Sequence, residues 1–206
     1  GKINEVTIGT DLKIGGESVL PFYSFDGDIG NKPAIGMEIW DVYPESWPEA
    51  VLNIFKDVVD DPVKWAKFCI ENYNPDFICL KFEGANPDGL DRSPEECAEV
   101  AKNVADNVNV PLVIAGCQNS EKTAKVFTKV AEALANKNFV FLSAVESNYK
   151  EVGAAVGLAY GNIVAAESSV DLNLAKQLNI LITQLGIQPD RMVMDPGCSA
   201  VGYGFE

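Results

Sequence analysis

The sequence predicts an α/β fold: a (β/α)8 TIM barrel, incomplete here, with about six of its eight β/α units. Three observations carry that reading. A short apolar run, a polar or glycine-rich tip and an amphipathic stretch recur six times between residues 33 and 198. The runs show little apolar/polar alternation, as strands buried on both faces do. Their starts at Ala34, Phe77, Pro111, Phe139, Asn162 and Arg191 lie about 31 residues apart on average, and eight such units give roughly 250 residues, the usual barrel size. No run is followed by a G-x-G-x-x-G turn, which argues against an open dinucleotide-binding sheet.

Residues 1–32 form a separate N-terminal unit. Residues 5–9 and 13–17 flank a turn at Thr10-Asp11 and predict a hairpin. Residues 18–30 then pass through Pro21, three aromatics and Asp26-Gly27-Asp28, a segment expected to lie as a lid or plug over the bottom of the barrel. The barrel domain occupies 33–206. Its first strand, 34–40, leads into a broken crossover of two helical stretches, 48–55 and 61–72. Asp61-Pro62 supplies an N-cap followed by proline at the first helical position. After strand 77–82, Ser93-Pro94-Glu95-Glu96 opens the next helix with a cap, a proline and carboxylates near the positive helix end. Strand 111–116 precedes a helix from Asn119 to about Asn136. Strand 139–144 precedes a helix over 147–157. Strand 162–166 precedes a helix over 169–185, which carries an apolar stripe (Leu172, Ala175, Leu178, Ile182, Leu185) and stops at Gly186. Asn119, Ser147 and Ser169 are placed equally well as helix caps and as ligand contacts. The sixth run, 191–195, exits through Asp195-Pro196-Gly197, and residues 201–206 lead into no further helix. A fragment of a longer chain is therefore expected, with the last helix and two strands absent.

Composition narrows the function classes. Net charge is -14 and the isoelectric point is near 4.4. Such a surface repels phosphate backbones and anionic lipid, so neither nucleic acid nor membrane is an expected partner. No apolar stretch approaches the ~20 residues of a membrane span, and residues 1–5 have no signal-peptide character, so the expected location is cytoplasmic. The five cysteines are widely spaced without a C-x-x-C pair, which speaks against a self-contained zinc or iron–sulfur site and for reduced thiols. Histidine is absent. That removes imidazole acid/base catalysis, imidazole–metal sites and a histidine ligand to cobalt or haem.

In a barrel of this kind, chemistry collects at the rim where the strands end. The strand exits place Asp41, Glu83, Asn86, Asp88, Cys117, Gln118, Asn119, Glu146, Asn148, Glu167, Ser168, Asp195 and Gly197 on that rim. Carboxylates and amides outnumber cations, which suits a polar, amide-bearing ligand better than a polyphosphate. Glu38 and Lys81, within strands, read as an interior structural pair. Cys117 has no imidazole to act as its base. The spacing of Glu83, Glu146 and Glu167 gives only weak support for a hard metal. Turn formation accounts for Asp26 and Asp28.

Several stretches are similar to one family: Leu12-Lys13-Ile14-Gly15-Gly16-Glu17-Ser18-Val19-Leu20-Pro21-Phe22, Pro44-Glu45-Ser46-Trp47-Pro48, Leu80-Lys81-Phe82-Glu83-Gly84-Ala85-Asn86-Pro87, and Asp195-Pro196-Gly197 with Gly202-Tyr203-Gly204-Phe205-Glu206. The series resembles the small subunit of the corrinoid iron–sulfur protein, the delta subunit of the acetyl-CoA decarbonylase/synthase complex. The resemblance implies a barrel subunit of a heterodimer in the reductive acetyl-CoA pathway of anaerobes. Its large (gamma) partner would carry the 4Fe-4S cluster and most of the corrinoid site, and the barrel would cap the cobalamin at the interface. The methyl group on cobalt would pass from a methyl-tetrahydropterin, through a methyltransferase, to acetyl-CoA synthase, both transient partners. The resemblance puts Glu83, Asn86, Asp88, Gln118, Asn119, Glu146, Asn148, Glu167, Ser168, Asp195 and Gly197 forward as cofactor-binding residues, with the subunit itself non-catalytic or co-catalytic. Two alternatives stand beside it. One is a stand-alone pterin-binding methyltransferase using Asn86, Asn119 and Asp195; the other is a pure scaffold of the complex.

Overall fold

The computed structural model describes residues 1–198 and 202. Residues 199–201 and 203–206, with most of the Gly202–Glu206 motif, lie outside them. The chain opens with an antiparallel hairpin of β1 (Val6–Ile8) and β2 (Leu12–Ile14). A sheet of six parallel strands follows, in the order β3 (Gly36–Trp40), β4 (Phe77–Lys81), β5 (Leu112–Ala115), β6 (Val140–Ala144), β7 (Ile163–Glu167) and β8 (Met192–Asp195). Spatial order equals chain order, the topology of a barrel wall, so every strand exit points to one rim. The architecture is that of an incomplete α/β barrel, with β3 and β8 as the edges of the sheet.

The helices cover the outer face of the sheet. They are α1 (Glu49–Phe55), α2 (Pro62–Tyr73), α3 (Pro94–Asn107), α4 (Ser120–Ala133), α5 (Tyr149–Val152), which runs on as a wider π-type turn over Gly153–Ala159, and α6 (Leu172–Gln184). Each begins where the local chemistry allows. Asp61 accepts from the Val63 and Lys64 amides, Ser93 and Glu96 complete a reciprocal capping box, and Asn119 accepts from Lys122 N at 2.9 Å. The other two cap expectations shift. Asp171, not Ser169, accepts from the Asn173 and Leu174 amides, and Ser147 lies ahead of a turn in which Asn148 accepts from Val145 N. The chain bends for one further residue after Ser147 and for two after Ser169 before helical geometry begins.

The two faces of the strands feed two cores. Outward residues such as Ile39, Ile78, Leu80, Ile114 and Phe141 pack with Trp65, Phe127, Val130 and Leu178 of the helices. Inward residues Val113, Val140, Ile163 and Ala165 pack on Val6 and Ile8. The plug in the lower lumen is therefore the hairpin itself, whereas most side chains of residues 18–29 point into solvent. Gly9 makes the seat possible. Its φ is +64°, a Cβ there would fall 2.8 Å from Pro111 Cβ, and its amide donates to Asn138 O at 2.9 Å.

Candidate functional site

With the lower lumen filled, the upper lumen opens as a cleft of about 510 Å³ at the strand exits. Five strands contribute to it: Glu38 from β3, Lys81 from β4, Ala115 from β5 with Gly116-Cys117-Gln118 beyond it, Leu142 and Ser143 from β6, and Glu167 from β7. Ser120 and Thr123 of α4, with Val145, Ser147 and Asn148, complete the wall. Ser143 sits where the β6–β7 register shifts by a residue, a bulge that re-aims a side chain beside the cleft. Gly116 is required because the start of α4 comes so close: a Cβ would stand 2.3 Å from Thr123 Cγ2.

Two of the charged side chains in the cleft, Glu38 and Lys81, are already engaged. Trp40 Nε1 donates to Glu38 Oε1 at 2.6 Å. Lys81 Nζ lies 4.5 Å from the Trp40 ring centroid and 3.1 Å from Glu83 Oε2. That oxygen is buried without a hydrogen-bond partner, so the ammonium serves it as a counter-charge from an off-line position. The expected Glu38–Lys81 pair is thus replaced by Lys81–Glu83 and Trp40–Glu38, because Lys81, on the last residue of its strand, reaches up toward its own exit loop. Below them, burial above all pushes the Cys79 thiol up to about 12, with Glu38 adding to the effect. Cys117 Sγ rests 3.6 Å from Thr123 Oγ1, and Thr123 in turn donates to Cys117 O at 3.0 Å. Among the described residues, no three His, Cys, Asp or Glu side chains converge to hold a metal ion. The arrangement offers hydroxyl, amide and carboxylate contacts to a bound molecule.

One wall of the rim is fastened from beneath. Asp41, 4% exposed, accepts from Gly84 N at 2.8 Å and from Arg92 Nη1 at 3.1 Å, while Arg92 Nη1 also donates to Asp41 O at 2.7 Å. Burial raises the Asp41 carboxyl above its ordinary pKa, outweighing the opposing pull of the Gly84 hydrogen bond and of Arg92. Lys122 of α4 meets Asp91 at 2.5 Å from the other side. The loop that carries Glu83, Asn86 and Asp88 is therefore fixed at both ends.

The structure distributes the rim residues unevenly. Gln118, Asn148 and Glu167 line the main cleft, and Glu146 lies beside it with Glu167 in an adjoining hollow. Glu83 joins through Lys81. Asn148 is also structural, donating to Ser120 O at 3.1 Å. Asn86 accepts from Asp88 N, Asn119 caps α4, and Asp195 accepts from Gly197 N at 3.0 Å, so these three serve their own turns and none lines the cleft. Asp88 and Gly197 are exposed away from it, and Ser168 is buried, its amide donating to Asp195 O. Trp40, Ser143 and Thr123 are the residues the sequence reading missed. Their signals are parity with Glu38 for Trp40 and the close approach behind Gly116 for Thr123; the bulge at Ser143 has no signal in the sequence.

A family model described as CO dehydrogenase/acetyl-CoA synthase delta subunit matches residues 5–206. The chain belongs to the CO dehydrogenase/acetyl-CoA synthase delta subunit family. Among this delta family, the acetyl-CoA decarbonylase/synthase complex subunit delta of Methanocaldococcus jannaschii is 34% identical over 96% of this chain and 48% of its own length. The protein of the same name from Archaeoglobus fulgidus is 31% identical over the whole chain and 48% of its own. The chain thus spans about half the length of the curated delta-family relatives it matches. A mandelate racemase/muconate lactonizing protein of Paracoccus denitrificans aligns at TM-score 0.36 and 10% identity, covering 78% of this chain and 46% of that one; the fold rests on strand order, not on that likeness.

Proposed function

We propose that this chain is the barrel subunit of a heterodimeric corrinoid iron–sulfur methyl carrier, and that its cleft caps a cobalt corrinoid held mainly by the large (gamma) subunit. The 4Fe-4S cluster belongs, in this reading, to that large subunit. A bound corrinoid supplies the methyl-carrying cobalt between a methyl-tetrahydropterin and acetyl-CoA synthase. The observation that carries the proposal is the donor set of the cleft. Gln118, Ser143, Ser147 and Glu167 present neutral or acceptor groups, and the one ammonium, Lys81, is paired with Glu83. A corrin edge is a ring of primary amides, whose N–H groups suit the acceptor groups of such a wall, and no unpaired cation lies among them. Gln118 and the serine hydroxyls would hold those amides, and Glu167 would accept an amide N–H. No imidazole exists in the sequence to compete for the metal. A cleft of about 510 Å³ covers one face of a macrocycle rather than enclosing it, so its work is to orient the rim and exclude water.

The test is co-purification with the large subunit, read by the visible spectrum of bound corrinoid. The pair retains the chromophore, the isolated chain binds it weakly or not at all, and Gln118→Ala with Glu167→Ala lowers retention by the pair. Tight binding by the isolated chain, or a double variant indistinguishable from wild type, would overturn the reading. Calorimetric heat from methyltetrahydrofolate added to the isolated chain would instead favour the stand-alone pterin enzyme.

A further inference from the structure

The loop between the hairpin and β3 turns its aromatic residues outward. Phe22 is 88% exposed and Phe25 78%, with Leu20 at 66% and Tyr23 at 49% beside them. Scattered apolar residues on a surface need no explanation, but a contiguous group of this kind marks an interaction site.

The loop is tightly built. Ser18 N donates to Asp28 O at 2.8 Å, Asp28 N to Ser18 Oγ at 3.1 Å, and Gly30 N to Asp28 Oδ1 at 3.0 Å. Asn31 N returns to Gly15 O at 3.0 Å, which ties the base to the hairpin. Glycine is needed at that base: at Gly30, where φ is +70°, a Cβ would stand 2.5 Å from Glu17 N. At the tip, Pro21–Tyr23 form one 3-10 turn, Tyr23 N donates to Leu20 O at 2.8 Å, and the Tyr23 and Phe25 rings meet edge-on at 6.0 Å. Folding has therefore already fixed the loop backbone and paired the Tyr23 and Phe25 rings, so less conformational freedom remains to be lost when the tip docks. Three carboxylates belong to the loop, Asp26 beside the aromatic turn and Glu17 and Asp28 at its foot, and they give it an acidic collar.

We propose that residues 19–27 are a preformed aromatic plug that seats in an apolar pocket with a Lys/Arg rim on another subunit of the complex. The plug hangs from the hairpin that fills the lower lumen, so it works at a different face from the cleft. It stands whether or not the cleft meets a corrinoid. Charge selects the occupant. A second copy would bring net -14 and the same acidic collar against this one, and an anionic bilayer would repel that collar as well. A basic-rimmed protein pocket satisfies both the rings and the carboxylates, and Phe and Tyr anchors suit such a pocket.

The experiment uses the chain with the remaining subunits of the complex, purified singly and together, in binding measurements at two salt concentrations. Phe22→Ser with Phe25→Ser weakens binding to one of them by about 30-fold or more. The melting temperature stays within about 2 °C because both side chains are exposed. Asp26→Asn lowers the association rate several-fold and leaves dissociation unchanged, and raised salt slows wild-type association in the same sense. Equal affinity of wild type and double variant for every subunit would overturn the proposal. So would a wild-type dimer abolished by the double variant, or wild-type binding to phosphatidylserine vesicles. Corrinoid retention, read in the same preparations, reports separately on the cleft.

Discussion

Replacing Asp41 tests how the rim loop is held. In Asp41→Ala the buried Gly84 amide loses its acceptor, at a cost of about 1–3 kcal/mol. Arg92 keeps the Asp41 carbonyl at 2.7 Å, and its side chain is 31% exposed, so the lost ion pair adds only about 1 kcal/mol. The expected loss is therefore about 3 kcal/mol, or about 9 °C in melting temperature for a domain of this size. Asp41→Asn retains an acceptor for Gly84 and costs about 1 kcal/mol. The pH dependence is diagnostic. Burial raises the folded pKa of Asp41 above its ordinary value, so the native state binds the proton more tightly than the unfolded chain does. Its contribution to stability is full below about pH 4 and declines as pH rises through the folded pKa. The stability gap between wild type and Asp41→Asn is thus wider at pH 4 than at pH 7 in urea titrations. A gap that widens with pH, or an Asp41→Ala loss under about 0.5 kcal/mol, would refute the clamp as described.

Two further outcomes follow from burial. Ile8→Ala removes a side chain that is 3% exposed from the plug and costs about 3 kcal/mol in urea unfolding; a loss under about 1 kcal/mol would mean the hairpin is not part of the core. Alkylation at pH 8 followed by mass mapping labels the exposed Cys198 rapidly. Cys69, Cys79 and Cys97 stay unlabelled until denaturant is added, because burial pushes their thiols to about 11, 12 and 12; rapid labelling of any of the three in the native protein would contradict that.

Much of the barrel was legible in the residues. The six runs, the Asp61 and Ser93 caps and the turn at Thr10-Asp11 are local signals, and the structure meets them within a residue or two. The rim was legible as a set, since parallel strands in chain order must exit at one side. Its division was not. Asn86, Asn119 and Asp195 look on paper like Gln118 and Glu167, yet the first three bond their own turns while the last two face the cleft. Short polar side chains satisfy whichever backbone group the loop brings near, and loop geometry is set by what packs beneath it.

The sequence by itself determined the repeat, the helix starts, the acidic surface and the absence of any imidazole, because each depends on neighbours along the chain or on composition alone. Tertiary structure decided which partner Lys81 takes, that the hairpin rather than the following loop fills the lumen, and that Asp41 fastens the loop of Glu83 from 43 residues away. Those choices depend on distances between segments remote in sequence, which exist only once the strands stand side by side and the low-dielectric space between them forces every buried charge to find a partner.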